Sequence, residues 1–158
     1  MTEENKLEGL GGLLVLVGLG IILSPILVIA QTFPIYSEMF SNGSWEVLTT
    51  PGTEAYNPLW APILICEITI NIALVFAWLF IAFLFFSKKK IFPRWYVGIL
   101  LFTLVFLLVD AFSIKLVLPN EPVFDPGTST NIIRSVVVTL IWVPYIFMSK
   151  RVKATFVK

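Results

Sequence analysis

Residues 59–94 read LWAPILICEITINIALVFAWLFIAFLFFSKKKIFPR, and this stretch decides the fold. From Leu59 to Phe86 the polar interruptions are Glu67, Thr69 and Asn71; the run then stops against Lys88, Lys89, Lys90 and, past Pro93, Arg94. In hydrocarbon no water meets an unpaired peptide group, so a segment this apolar has to satisfy its own backbone by coiling into a helix. At about 1.5 Å per residue such a helix exceeds the roughly 30 Å hydrocarbon layer. The basic cluster marks the interface where it emerges, and Pro93 suits the opening turn of a helix that goes back.

Working outward, the same pattern recurs. Leu10–Ala30 carries no charge and forms a first span. The residues ahead of it, Thr2 to Glu8, hold Glu3, Glu4 and Glu8 against Lys6, which is not the basic opening of a signal peptide. Trp95 to about Leu118 is a third span and Asn131–Ser149 a fourth, followed by the basic tail Lys150 to Lys158. A membrane β-barrel needs alternating segments of about ten residues, and these runs do not alternate. The expected fold is all-α: a polytopic membrane protein forming one membrane domain over residues 1–158, with helices at about 10–30, 59–86, 95–118 and 131–149. Composition agrees, since 58% of the residues are hydrophobic and 13% charged, against about 25% charged in soluble domains.

Between the first two spans, residues 31–58 interleave Phe33, Tyr36, Phe40 and Trp45 with Glu38, Glu46, Glu54 and the turn signals Asn42-Gly43-Ser44 and Pro51-Gly52. An ordered outward-facing cap, with a short helix around 34–40, is expected there. Residues 119–130, with Pro119, Pro122, Pro126 and Gly127, close the third span cleanly. Orientation follows from charge. Residues 1–9, 87–94 and 150–158 hold nine Lys or Arg, whereas 31–58 and 119–130 hold none and carry five Glu or Asp. The positive-inside rule then places both termini and the 87–94 loop in the cytoplasm.

The sequence contains no His and a single Cys, Cys66. That removes histidine acid–base chemistry, zinc sites of the usual kinds and an intramolecular disulfide; Cys66, inside a span, reads as a packing residue. No phosphate loop, dinucleotide fingerprint or nucleophile elbow occurs, and no cofactor is expected. Polarity inside the spans is concentrated in Glu67, Asn71, Asp110, Lys115 and Arg134. Counting from the outer helix ends, Glu67 and Asp110 fall about 12 Å below the outer edge and Lys115 and Arg134 about 4.5 Å below it. Charges at this depth are costly and turn toward the bundle interior. The five residues form either an outward polar cavity for an ion, polar solute or lipid headgroup, or a buried network that fixes helix assembly. Gly20 and Ser24 form a small-xxx-small pair for close packing. Pro25 and Pro144 are expected to bend their helices. Trp95, Tyr96, Trp142 and Tyr145 mark the inner interface and Trp60 and Trp45 the outer one.

Lys88, Lys89, Lys90, Arg94, Arg151 and Lys153 are the candidate cytoplasmic contacts for anionic lipid or a partner, each base worth about 1 kcal/mol near an anionic surface. They fringe the spans with no soluble domain behind them, so nucleic acid is not an expected partner. Membrane lipids are, together with another inner-membrane protein or a second copy of the chain.

Three passages carry a resemblance: Leu7-Glu8-Gly9-Leu10-Gly11-Gly12-Leu13-Leu14 at the start, Ser24-Pro25 within the first span, and Ile141-Trp142-Val143-Pro144-Tyr145 with Ser149-Lys150-Arg151-Val152-Lys153-Ala154-Thr155-Phe156 at the end. Over essentially its whole length the chain resembles the uncharacterised bacterial inner-membrane family catalogued as domain of unknown function 2569. The resemblance implies a four-helix inner-membrane protein and supplies no reaction, substrate or catalytic residue. It draws notice to Arg151, Val152, Lys153, Thr155 and Phe156 as a cytoplasmic anchoring or docking segment. The first expectation for function is an accessory or interaction protein of the inner membrane, using the cap and the basic tail. A small transporter or a polar-solute- or lipid-binding protein using Glu67, Asn71, Asp110 and Arg134 comes second. A lipid-acting enzyme comes third, with Glu67 and Asp110 its sole acid and base and no nucleophile beside them.

Overall fold

The computed structural model describes residues 9–158, which contain six helices and no strand. They are α1 (Leu13–Ser41), α2 (Ser44–Thr49), α3 (Trp60–Phe86), α4 (Phe92–Ile114), α5 (Pro126–Met148) and α6 (Lys150–Thr155). Four of them, α1, α3, α4 and α5, are long and apolar enough to cross a membrane. Large side chains such as Phe76, Leu140 and Met148 stand at least two-thirds exposed along these helices. Such a surface belongs in lipid, where apolar exposure carries no penalty.

α1 packs along α3 and α4 along α5, with α3 and α4 joining the two pairs. α1 and α5 hardly touch, which leaves a seam between them. α1 runs on through Pro34 to Ser41, past the expected span end at residue 30, so the expected separate helix around 34–40 is its last two turns. The stop comes at Asn42-Gly43: Gly43 takes the left-handed φ of 79°, which glycine adopts without a Cβ clash, and α2 starts directly after it. Asp125 caps α5, accepting from the backbone N–H groups of Gly127 and Thr128, with Pro126 in the first turn.

Two apolar clusters hold the bundle. One, at the end of α1 near Ser41, joins Met39, Trp60, Leu64 and Val117, so Trp60 is a packing residue, not an exposed interface anchor. The other is larger and runs from Leu14, Val17 and Ile21 through Trp78, Ile81 and Phe85 to Phe92, Tyr96, Ile146, Val152 and Phe156. Tyr96, expected at the interface, is buried edge-on to Trp78 with 6.2 Å between ring centroids. Close helix approach occurs at Gly18: a Cβ there would lie 2.9 Å from Phe85 Cε1, whereas one at Gly20 would meet nothing within 4 Å.

The end of the bundle at the α3–α4 loop is tied by residues 9–12 and 151–158. Phe156 stacks on Phe92 with centroids 4.3 Å apart. The Lys90 N–H donates to the Lys158 carbonyl at 2.6 Å and the Lys158 N–H to the Lys88 carbonyl at 3.3 Å. Thr155 Oγ1 accepts from the Gly9 N–H and donates to the Gly9 carbonyl, both at 3.1 Å. Arg151 lies over the glycines of the start: a Cβ at Gly11 would sit 2.9 Å from its Nη1. The opening glycines and the Arg-Val-Lys-Ala-Thr-Phe tail, remote in sequence, are thus two halves of one latch.

Candidate functional site

The seam between α1 and α5 opens into a cavity of about 360 Å³ that all four long helices line. On α1 its wall runs from Leu16 to Thr32, which at the helical rise is about 24 Å, most of a bilayer's hydrocarbon depth. The cap end is polar: Gln31 and Thr32 from α1, Asn71 from α3, and Asn131, Arg134 and Ser135 from α5. The opposite end is aromatic and aliphatic, with Leu16, Trp78, Tyr96, Leu100 and Trp142. The sequence creates this gradient simply: α5 places Asn131, Arg134, Ser135, Val138 and Trp142 at i, i+3, i+4, i+7 and i+11, hence on one face. Gly20 and Ser24, a packing pair in the sequence reading, instead line this opening, with the Ser24 hydroxyl turned back onto the Gly20 carbonyl at 2.7 Å.

Midway along the wall sits Thr103 of α4, whose Oγ1 is buried and has no hydrogen-bond partner. Thr32, Thr69 and Ser113 in the same helical setting satisfy their hydroxyls on a carbonyl four residues back. A buried hydroxyl left without a partner costs about 1–3 kcal/mol.

At the cavity's polar end, Asn71 leads to a second layer. Its Nδ2 donates to the Tyr36 hydroxyl at 3.1 Å and to the Glu67 carbonyl at 3.0 Å, and the Tyr36 hydroxyl donates to Glu67 Oε1 at 2.9 Å. Asp110 comes within electrostatic range of both Glu67 and Tyr36, and among the described residues no cation pairs with either acid. Of the five residues singled out in the sequence, Asn71 and Arg134 line the cavity, Glu67 stands behind Asn71, and Asp110 lies beyond it. Lys115 is elsewhere: it is the C-cap of α4, and its Nζ donates to the Pro119 carbonyl at 2.8 Å. Tyr36 and Thr103 were not singled out. Tyr36 sits in a segment whose aromatic content suggested a surface cap, and an isolated Thr in an apolar helix is ordinarily self-satisfied.

On the basic side, Lys89, Lys90, Arg94 and Lys153 are exposed, while Lys88 and Arg151 are half-buried, Arg151 against Gly11 and Gly12. Lys88 has a left-handed φ of 52° at the end of α3, where the Lys89 N–H closes on the Leu84 carbonyl at 2.9 Å. Cys66 is exposed on the lipid-facing side of α3.

Fold and site together define a four-helix, multi-pass membrane protein with a cavity that changes from polar to apolar along its length. The model of the family described as a protein of unknown function (DUF2569) matches residues 7–157, and the chain belongs to that family. No curated protein matches the chain, and no solved structure does.

Proposed function

We propose that this protein binds a single-chain anionic amphiphile, head at Arg134 and tail toward Trp78, Tyr96 and Trp142, admitted from the bilayer through the gap between α1 and α5. The observation that carries the reading is the polarity gradient of the cavity. One cation and several neutral hydrogen-bonding groups stand at one end, an aromatic wall at the other, and no carboxylate lines it. A volume of about 360 Å³ is at the small end of ligand pockets, which suits one chain. The lipid-binding role takes precedence over the accessory role because the tail's Arg151, Thr155 and Phe156 already serve contacts within their own chain.

The protein is assigned to the bacterial inner membrane with both termini in the cytoplasm. Support comes from the meeting of three segments, residues 9–12, 87–91 and 149–158, at one end of the bundle, where the basic residues accumulate.

Binding is read by energy transfer from tryptophan to the fluorescent fatty acid parinarate, since Trp78 and Trp142 line the cavity. Saturable transfer is expected with parinarate and weaker transfer with its uncharged methyl ester. Arg134→Gln removes that difference and Gly20→Leu, which fills open space, removes saturable binding of both. Unchanged binding in both variants refutes the assignment.

A further inference from the structure

A second concavity, of about 500 Å³, lies on the lipid-facing side between α3 and α4 and shares no polar residue with the first. Its floor and walls include Ala73, Ala77 and Phe80 from α3 and Trp95, Gly98 and Phe102 from α4. Its one charged liner is Arg94, at the inner end, exposed and two residues from the start of α4. Phe80 and Trp95 meet edge to face at 5.4 Å, framing that end. Above them Gly98 leaves the groove open, since a Cβ there would meet nothing within 4 Å.

We infer that this groove holds one acyl chain of an anionic phospholipid, with the lipid phosphate at Arg94. Length identifies the occupant. From Arg94 to Phe102 the groove rises about 12 Å, close to the roughly 15 Å depth of one leaflet, half of the hydrocarbon thickness. A helix of a second copy would call for a seam along the full depth, whereas a lipid of the leaflet at the Lys88–Arg94 end needs this much and no more. Charge identifies the headgroup: a planar guanidinium makes paired bonds to phosphate oxygens, and the exposed Lys89 and Lys90 in the loop just before α4 add to the local positive potential. This inference does not rest on the amphiphile cavity, with which the groove shares Leu74 but no polar residue.

The full-length protein is reconstituted in nanodiscs of dioleoylphosphatidylcholine with a minor fraction of dioleoylphosphatidylglycerol, released, and its retained lipids counted by native mass spectrometry. The wild type is expected to retain phosphatidylglycerol in preference to phosphatidylcholine. Arg94→Gln lowers that preference about fivefold, the equivalent of one interfacial base at about 1 kcal/mol. Gly98→Leu, or Ala77→Leu from the opposite wall, abolishes tight retention of either lipid. Three results overturn the inference: a preference lost on neutralising Lys88, Lys89 and Lys90 together yet kept in Arg94→Gln; filled-groove variants that retain lipid as the wild type does; or Gly98→Leu converting a dimer to a monomer with lipid retention unchanged.

Discussion

Gly18 and Gly20 are two residues apart on α1, and the structure sets opposite demands on them. A methyl group at Gly18 would sit 2.9 Å from Phe85 Cε1 and 3.2 Å from its Cζ. Phe85 is 2% exposed and held by Phe92 and Phe156, with ring centroids 5.2 and 5.7 Å away. It cannot turn aside without disturbing the stack that fastens the tail. Overpacking of this kind costs about 1–3 kcal/mol, so Gly18→Ala should destabilise by that amount and Gly18→Val by more. Gly20→Ala places its methyl in open space and should stay within about 0.5 kcal/mol of wild type. Helix propensity hardly enters, because an isolated span remains helical in hydrocarbon, so the gain from alanine is present before and after packing. The assay is reversible unfolding in mixed micelles, titrated with dodecyl sulfate and followed by tryptophan fluorescence. Equal effects at the two positions, or stabilisation by Gly18→Ala, would refute the packing described for α1 and α3.

Tyr36→Phe removes the hydroxyl that joins Asn71 to Glu67, and should cost about 0.5–2 kcal/mol in the same titration, the range measured for hydrogen bonds between membrane helices. Thr155→Val removes both contacts to Gly9 and should raise hydrogen exchange at residues 9–12 while leaving α4 and α5 protected. The Asp125 carboxyl is held below the ordinary carboxylate range, first by the Thr128 hydroxyl and then by the Thr128 and Gly127 amides. A depressed folded-state pKa gives stability that is present above the usual value near 4 and is lost as pH falls through the folded one. Protection factors at Gly127 and Thr128 should therefore fall on acidification below about pH 4 in wild type, and show no such step in Asp125→Asn, which caps nearly as well without titrating. Single cysteines at Lys89 and Glu121, in a Cys66→Ala background, should react with a membrane-impermeant maleimide from opposite sides of the bilayer; labelling from the same side contradicts the topology.

The four spans were legible because the requirement behind them is local: each apolar run has to coil, whatever its neighbours do. Where α1 ends was not, because Pro34 and the aromatic residues around it read as an interfacial cap, and Pro inside a membrane helix is tolerated when neighbours repair the bonding. The site was legible in part for a similar reason. Depth along a helix comes from counting, which singled out Asn71 and Arg134 as candidates; azimuth depends on which helices pair. The α1–α3 and α4–α5 pairing brings Asn71 and Arg134 to one cavity, keeps Glu67 behind Tyr36 and leaves Lys115 to finish its own helix. The tail posed a different problem. Arg151, Thr155 and Phe156 look like docking residues until the opening glycines fold against them, a contact that spans almost the whole chain and leaves no local signature.

The proposed entry of an anionic amphiphile from the bilayer through the α1–α5 seam is open to direct measurement. Its most direct test is photo-crosslinking in liposomes with a fatty acid carrying a diazirine near its tail, followed by peptide mapping. The claim predicts adducts concentrated on the apolar cavity wall, at Leu16, Leu100 and Trp142, and competed away by unlabelled oleate. Adducts spread over outward-facing residues such as Phe76, Val105 and Leu140, and insensitive to oleate, would contradict it.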